Sequence, residues 1–248
     1  MKTIIKTIFA TLIVMLGVSA KSNAQTYYPV YLCDGGTATL HMPEETTLTT
    51  GDKVYWYLNG STTPVAEREY NGTANSTDYV TPNNLGHGVN TYTSRILSVA
   101  NCWGDMSEAF QVYQLPSKTL ALTTNKTTYC GDDATLNSVI TATTTPLHAL
   151  PDGIEYEYVW SATKNGTALT PLSGIGTEGT SKTAVNTFTL TTTGAGTYVL
   201  NATVKYVKTV ANTGALKSGD NKGCETPATT TQTVTVTPKP VKPTIVIQ

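Results

Sequence analysis

Two stretches of this chain share one frame, and that duplication limits the folds open to it. Lys53-Val54-Tyr55-Trp56-Tyr57-Leu58 is rich in aromatic and β-branched residues and carries one Trp. Glu155-Tyr156-Glu157-Tyr158-Val159-Trp160 repeats that character. Each has a Cys well before it and another well after it. Such residues suit the pleated, half-buried surface of a strand, so two copies of a small all-β sandwich are expected. Composition agrees. About one residue in five is Thr, Gly and Pro punctuate the chain often, and no segment beyond the amino end keeps a helical period.

The first copy is expected over 25–117. Tyr27 to Leu32 reads as a short strand, Asp34-Gly35-Gly36 as a turn and Thr37 to Leu40 as the next strand. Side chains alternate along a strand, so Val54, Trp56 and Leu58 share one face and Tyr55 and Tyr57 the other. The Trp face is assigned to the core. Asn59-Gly60 is a hairpin signal. Val65 to Tyr70, with Glu67, Arg68 and Glu69, reads as a charged edge strand. Thr91 to Ala100 is a long strand whose inward face the pattern leaves open, and Glu108 to Leu115 closes the unit.

The second copy is expected over 118–238. Cys130-Gly131-Asp132-Asp133-Ala134-Thr135-Leu136 restates Cys33 to Leu40 with one residue fewer. Ile154, Tyr156, Tyr158 and Trp160 share a face, and Asn165-Gly166 repeats the hairpin signal. Phe188 and Leu190 lie on an alternating strand. Tyr198, Leu200, Ala202, Val204 and Tyr206 are assigned inward on another. Thr209 to Gly223 reads as an extended loop carrying Lys217, Asp220 and Lys222, and Thr229 to Thr237 as the last strand. Residues 239–248 form a Pro-rich tail, stiffened by Pro240 and Pro243. Its end, Thr244 to Gln248, either adds a strand to a neighbour or frays.

Residues 1–24 read as a cleaved signal peptide. Lys2 and Lys6 give a positive start, and the apolar run Ile8 to Val18 is too short for a bilayer, which takes roughly 20 residues. Ser22-Asn23-Ala24 fits a cleavage site that leaves Gln25 first. Cleavage after Ala20 and an uncleaved anchor are the other readings. The chain is therefore expected to be secreted or at the cell surface, with no membrane span after cleavage. With 16 Lys and Arg against 17 Asp and Glu, it lacks the basic surface that nucleic acid requires. Four Cys in an exported chain read as two disulfides. Their spacing pairs Cys33 with Cys102 and Cys130 with Cys224, one staple per repeat. Geometry raises an objection, because a seven-residue strand spans about 23 Å and bridged Cα atoms lie within about 7 Å. Pairing within each repeat is preferred all the same.

The chain resembles the immunoglobulin-like and PKD-type modules of secreted and surface proteins of Bacteroidota. The residues that carry the likeness are Cys33, Gly35, Leu40, Trp56-Tyr57, Tyr92 and Asn101-Cys102. In the second copy they are Cys130-Gly131, Leu136, Trp160, Gly196-Thr197-Tyr198 and Gly223-Cys224. The resemblance implies two tandem immunoglobulin-like β-sandwiches used as spacers, adhesive units or platforms. In antibody domains the second Cys follows a Tyr by two residues; here Cys102 comes about ten residues after Tyr92.

No catalytic constellation emerges. His41, His87 and His148 lie in different segments, and no G-x-S-x-G or H-E-x-x-H occurs. Enzyme activity and a cofactor are not expected. Calcium at Asp34, Asp132 and Asp133 is a weaker reading than plain turn formation. Sugar binding has better candidates in Tyr55, Tyr57 and Trp103, whose faces could stack on a sugar ring. The competing reading buries them under the hairpin and over a disulfide. The expected role is a non-enzymatic structural or adhesive module whose partner is a surface protein or glycan. The alternatives are a carbohydrate-binding accessory protein and a subunit of a surface fibre that donates its tail as a strand.

Overall fold

The computed structural model describes residues 26–132, 136–217 and 224–245. Residues 1–24, expected as a signal peptide, and Asp133, Asp220 and Lys222 lie outside the described residues. The first half carries β1 (Val30–Leu32), β2 (Thr39–Leu40), β3 (Lys53–Leu58), β4 (Ala66–Glu69), β5 (Tyr79–Val80), β6 (Gly88–Leu97) and β7 (Phe110–Gln114). The second carries β8 (Lys118–Thr124), β9 (Thr128–Cys130), β10 (Ser138–Pro146), β11 (Ile154–Lys164), β12 (Thr167–Leu169), β13 (Gly176–Glu178), β14 (Val185–Leu190), β15 (Gly196–Lys208), β16 (Ala215–Lys217), β17 (Thr226–Pro227) and β18 (Gln232–Thr237). The chain is all-β, with two short 3-10 turns at Pro43–Thr47 and Leu172–Gly174.

The second sandwich pairs β13-β14-β10-β8 in one sheet with β12-β11-β15-β18-β9 in the other. This is the division of strands found in immunoglobulin sandwiches, with a four-stranded sheet facing one built on the central hairpin strands. The first sandwich repeats the larger sheet as β1-β7-β6-β3-β4, but the sheet facing it is only β2 and β5. In both halves a short strand pairs parallel with the last strand of the unit, β1 with β7 and β9 with β18. Both Asn-Gly pairs adopt positive φ, Asn59 at 51° and Gly60 at 71°, Asn165 at 49° and Gly166 at 84°. That conformation matches the twist of a hairpin.

Each half has its own indole. Trp56 packs with Val54, Leu40, Met42, Tyr79 and Tyr92 in the first core, and Trp160 with Phe188, Leu190 and Leu200 in the second. Each indole N–H is satisfied, by Thr77 O at 3.0 Å and by Asn186 Oδ1 at 3.1 Å. The alternation expected for Ile154 to Trp160 and for Tyr198 to Tyr206 is observed, all inward residues being buried. In β6 the inward face is Tyr92, Ser94 and Ile96, which settles the face left open above. The strands β8 and β10 were not anticipated.

The disulfide pairing differs from expectation. Cys33 is bridged to Cys224, with Cα atoms 5.3 Å apart, and Cys102 and Cys130 are free thiols. The registers explain why the expected pairs fail. Leu32 lies opposite Gln114, and Gln114 opposite Gly88, so Cys33 sits at the start of β6. Cys102 lies beyond the other end of that ten-residue strand, about 30 Å away at the rise of a strand. Cys130 and Cys224 are likewise near opposite ends of β15, beside Gly196 and beside Val204 to Tyr206. The supposed loop after Thr209 brings the true partners together. Its Ala215-Leu216-Lys217 forms β16, which pairs parallel with β1 and extends the first sandwich's sheet to six strands. Cys33 N–H then donates to Lys217 O at 2.9 Å. A strand from the second half thus caps an edge of the first.

Candidate functional site

The outer face of the first sandwich gathers an aromatic patch. Tyr55 points outward from the middle of β3, opposite Glu67 on β4 and Arg95 on β6. A tight turn follows β6. Ser98 N–H donates to Cys102 O at 3.0 Å, and Asn101 takes a φ of 61°. This folds Trp103 back against Leu97. Arg95 Nε donates to Gly104 O at 2.7 Å, which holds its guanidinium 4.8 Å from the centre of the Trp103 ring. The Tyr55 and Trp103 rings lie 5.0 Å apart. Trp103 remains 46% exposed, so much of the indole is open to a flat partner. Partial desolvation and then the Glu67 carboxylate push the Tyr55 phenol above its ordinary value. Lys53 closes the row with an ion pair to Glu67 at 2.7 Å.

The patch differs from the trio expected from sequence. Tyr55 and Trp103 come together, but Tyr57 is buried and offers no face to a ligand. Arg95 joins instead. Its place opposite Tyr55 depends on a strand register that the sequence alone does not display. Trp103 does not cover a disulfide, since Cys102 is free.

A groove of about 470 Å³ opens on the first sandwich, between β2 with the segment that follows it and the β6–β7 sheet. A smaller, polar cavity of about 240 Å³ lies at the junction of the sandwiches, beside Cys33 and Cys224. Lys118 lines it, donating from Nζ to Cys224 O at 2.5 Å and lying 3.7 Å from the centre of the Tyr206 ring. Burial pulls its ammonium down to about 8, against the opposing charge of Asp34.

The histidines do not converge on a nucleophile. His41 pairs with Asp78 at 2.7 Å on the surface. His87 and His148 stack at 4.2 Å, with Tyr113 edge-on to His87. Asp132 pairs with Lys239, and among the described residues no three His, Cys, Asp or Glu gather as a metal site. Among the same residues no helix is long and apolar enough to cross a membrane.

No family of known sequences matches this chain, and no curated protein matches it in sequence. Solved structures do. Fibronectin(III)-like modules of Clostridium thermocellum CbhA match over 91% of this chain and 98% of theirs, with 11% identity and a TM-score of 0.39. Invasin, a bacterial integrin-binding protein, matches over 83% of this chain and 39% of its own, with 15% identity and a TM-score of 0.31. The N-terminal eight immunoglobulin domains of Down Syndrome Cell Adhesion Molecule match over 86% of this chain and 23% of theirs, with 11% identity and a TM-score of 0.39. The chain spans less than half the length of the latter two. At scores this low, the immunoglobulin-like architecture rests on the strand pairing described above.

Proposed function

We propose that this chain is an exported structural or adhesive module that works by binding, not by catalysis, outside the cell or on its surface. The observation that carries the reading is the double tie between the sandwiches, the Cys33–Cys224 bridge and the parallel β1–β16 pairing. A structural bridge of this kind persists in an oxidising compartment. The tie makes one stiff body of two sandwiches, as a spacer or a presenting scaffold requires. In this reading 25–117 and 118–238 are the two units, 1–24 directs export and is removed, and no cofactor takes part. The partner is a surface protein or a glycan. Mass spectrometry of the chain recovered from envelope and medium tests it. Gln25 is the expected first residue; a chain that begins at Met1 and stays in the cytoplasm overturns the reading.

Glycan binding is the second reading, favoured by the meeting of Tyr55, Trp103 and Arg95. Aromatic faces next to a guanidinium suit a sugar ring that offers an apolar face and hydroxyls. Binding on a glycan array that disappears in Tyr55→Ala with Trp103→Ala supports it. Binding that survives the double substitution rules this patch out.

A further inference from the structure

The two sandwiches differ by one strand. In the second, β8 pairs antiparallel with β10 over seven residues, Lys118 to Thr124. Its Leu120 and Leu122, two residues apart, are 0% and 4% exposed and close one side of the core. In the first, β2 takes the place of β10, with β5 on one side and no strand among the described residues on the other. Thr81 N–H donates to Ala38 O and Ala38 N–H to Thr81 Oγ1, both at 2.9 Å. By antiparallel alternation, the backbone groups of Thr39 and His41 therefore point away from β5. The groove follows that open edge. Leu40, Met42, Trp56, Ile96 and Phe110 line it, and Phe110 is 40% exposed. Tyr92, also in the lining, keeps a buried hydroxyl without a hydrogen-bond partner.

The carboxyl tail has the sequence that such an edge lacks. Thr244-Ile245-Val246-Ile247-Gln248 repeats the pattern of Thr119-Leu120-Ala121-Leu122-Thr123, with aliphatic residues two apart. Pro240 and Pro243 favour an extended chain ahead of it. Val241 and Ile245 are 92% and 94% exposed, so the tail uses neither on its own body. Charge is complementary: Lys239 pairs with Asp132 of its own body, but Lys242 lies in a tail with no acid, and Glu44, Asp105 and Glu108 stand against Arg95 and His41 around the groove.

Reach decides whose groove it enters. Thr237 lies beside Cys130 and Val236 beside Gly196, so the tail leaves at the Gly196 end of β15. The junction with the first sandwich is at the other end, where the Tyr206 hydroxyl donates to Pro116 O at 2.9 Å. Gly196 to Tyr206 covers about 33 Å of strand, and the groove lies beyond the junction. Pro238 to Ile245 spans about 25 Å at most. The tail is too short for its own groove.

We propose that the tail of one copy enters the first sandwich of a second copy as its missing edge strand, beside β2, with Ile245 and Ile247 in the groove. The contact joins different surfaces of the two copies, so it repeats head to tail into an open chain of subunits. Addition of a strand to a free edge supplies the hydrogen bonds, and the pockets for alternate side chains supply the specificity. The proposal deepens the reading of this chain as a surface structural module.

Sedimentation velocity over a concentration series tests it on three proteins: the mature chain, the chain ending at Pro238, and the mature chain with Phe110→Lys. The mature chain is expected to grow with concentration, and the other two to remain monomers. A labelled peptide of residues 238–248 is expected to bind the truncated chain with roughly micromolar affinity. Phe110→Lys in the protein, or Ile245→Asp with Ile247→Asp in the peptide, should weaken binding by about tenfold or more. Glu44→Lys with Glu108→Lys, on the exposed rim, should weaken it without touching the core. Circular dichroism confirms that each variant is folded. A peptide that does not bind, or that binds all variants equally, overturns the proposal. So does a mature chain that sediments like the truncated one. A folded, exported chain that stays monomeric sinks this proposal alone; retention of residues 1–24 in the cytoplasm sinks the module reading.

Discussion

The second sandwich closes its core between two full sheets, whereas the first borrows. In the second, four strands face six, β17 pairing with β15 beside the five in line, and Phe188, Leu190, Ile140 and Leu120 are fully buried between them. In the first, two strands with two residue pairs face the larger sheet. Part of what they fail to cover is covered by the 3-10 turn at Pro43–Thr47, by the loop before β5 and, on the sheet edge, by β16 from the other half, and the rest is the open groove. The same sandwich can thus be completed by sheet in one copy and by loops and loaned strands in the other. Stability should follow that difference.

The largest effect belongs to the closed core. Phe188→Ala removes a fully buried ring packed 5.7 Å from Trp160 and should cost about 3–5 kcal/mol in chemical denaturation. Trp56→Ala removes a larger ring from the first core, yet that ring borders an open groove. Neighbours and water can relax into the space, so the loss should be smaller by about 1–2 kcal/mol. Equal losses would mean that the first core is as tightly enclosed as the second.

The bridge comes next. Cys33→Ser with Cys224→Ser opens a link with a sequence separation of 191 residues, and should cost about 2–4 kcal/mol. The loss should fall on the first sandwich, because β16 then holds β1 by hydrogen bonds alone. Calorimetry should show one transition splitting into two, the lower lost also in Trp56→Ala. A single unshifted transition would show that strand pairing suffices for the tie.

What the sequence reveals follows the same contrast. Ile154 to Trp160 and Tyr198 to Tyr206 announce their inward faces because both are long strands with a strict period of two. The hairpin at Asn165-Gly166 is legible because positive φ at two successive residues demands such a pair. Nothing local marks Ala215 to Lys217 as a strand. Its partner is the edge of another sandwich, and three residues carry no period. The cysteine pairing fails for the same reason, since proximity of Cys33 and Cys224 is a product of that docking. At the aromatic patch, Tyr55 and Trp103 could be picked out by type. Arg95 could not be added, nor Tyr57 removed, without the register of β3 on β6.

A smaller effect concerns how the first sandwich secures its loop. Glu45 is buried in the 3-10 turn and accepts hydrogen bonds from Asn75 N–H at 2.6 Å, Thr77 N–H at 2.9 Å and Thr77 Oγ1 at 2.7 Å. Burial alone would raise its carboxyl, but the bonds from Thr77 and Asn75 outweigh that and hold it below the ordinary value of 4.5. A depressed carboxyl stabilises the fold above its unfolded value, and the benefit fades as pH falls through the folded one. Glu45→Gln, which cannot accept all three bonds, should cost about 1–3 kcal/mol near neutral pH. It should also flatten the loss of stability below about pH 4.5. Acid unfolding of the variant parallel to that of the parent would remove Glu45 from this role.

The smallest effect lies where the halves touch. His87 precedes β6, His148 follows β10, and their rings stack at 4.2 Å. Desolvation and then the neighbouring His148 lower His87 from its ordinary 6.5. Neutral rings tolerate the stack, while two imidazolium ions would repel. A histidine with a lowered folded value lends stability that is present above its unfolded value and lost as pH falls through the folded one. The contact should therefore loosen as pH falls below about 6.5. His148→Ala should leave stability near pH 7.5 almost unchanged and reduce the decline that sets in below about pH 6.5. Histidine ring resonances followed by NMR would report it directly. If His87 titrates at its ordinary value in the intact chain, the two halves do not press these rings together in solution. The junction would then rest on the bridge, β16 and the bond from the Tyr206 hydroxyl to Pro116 O.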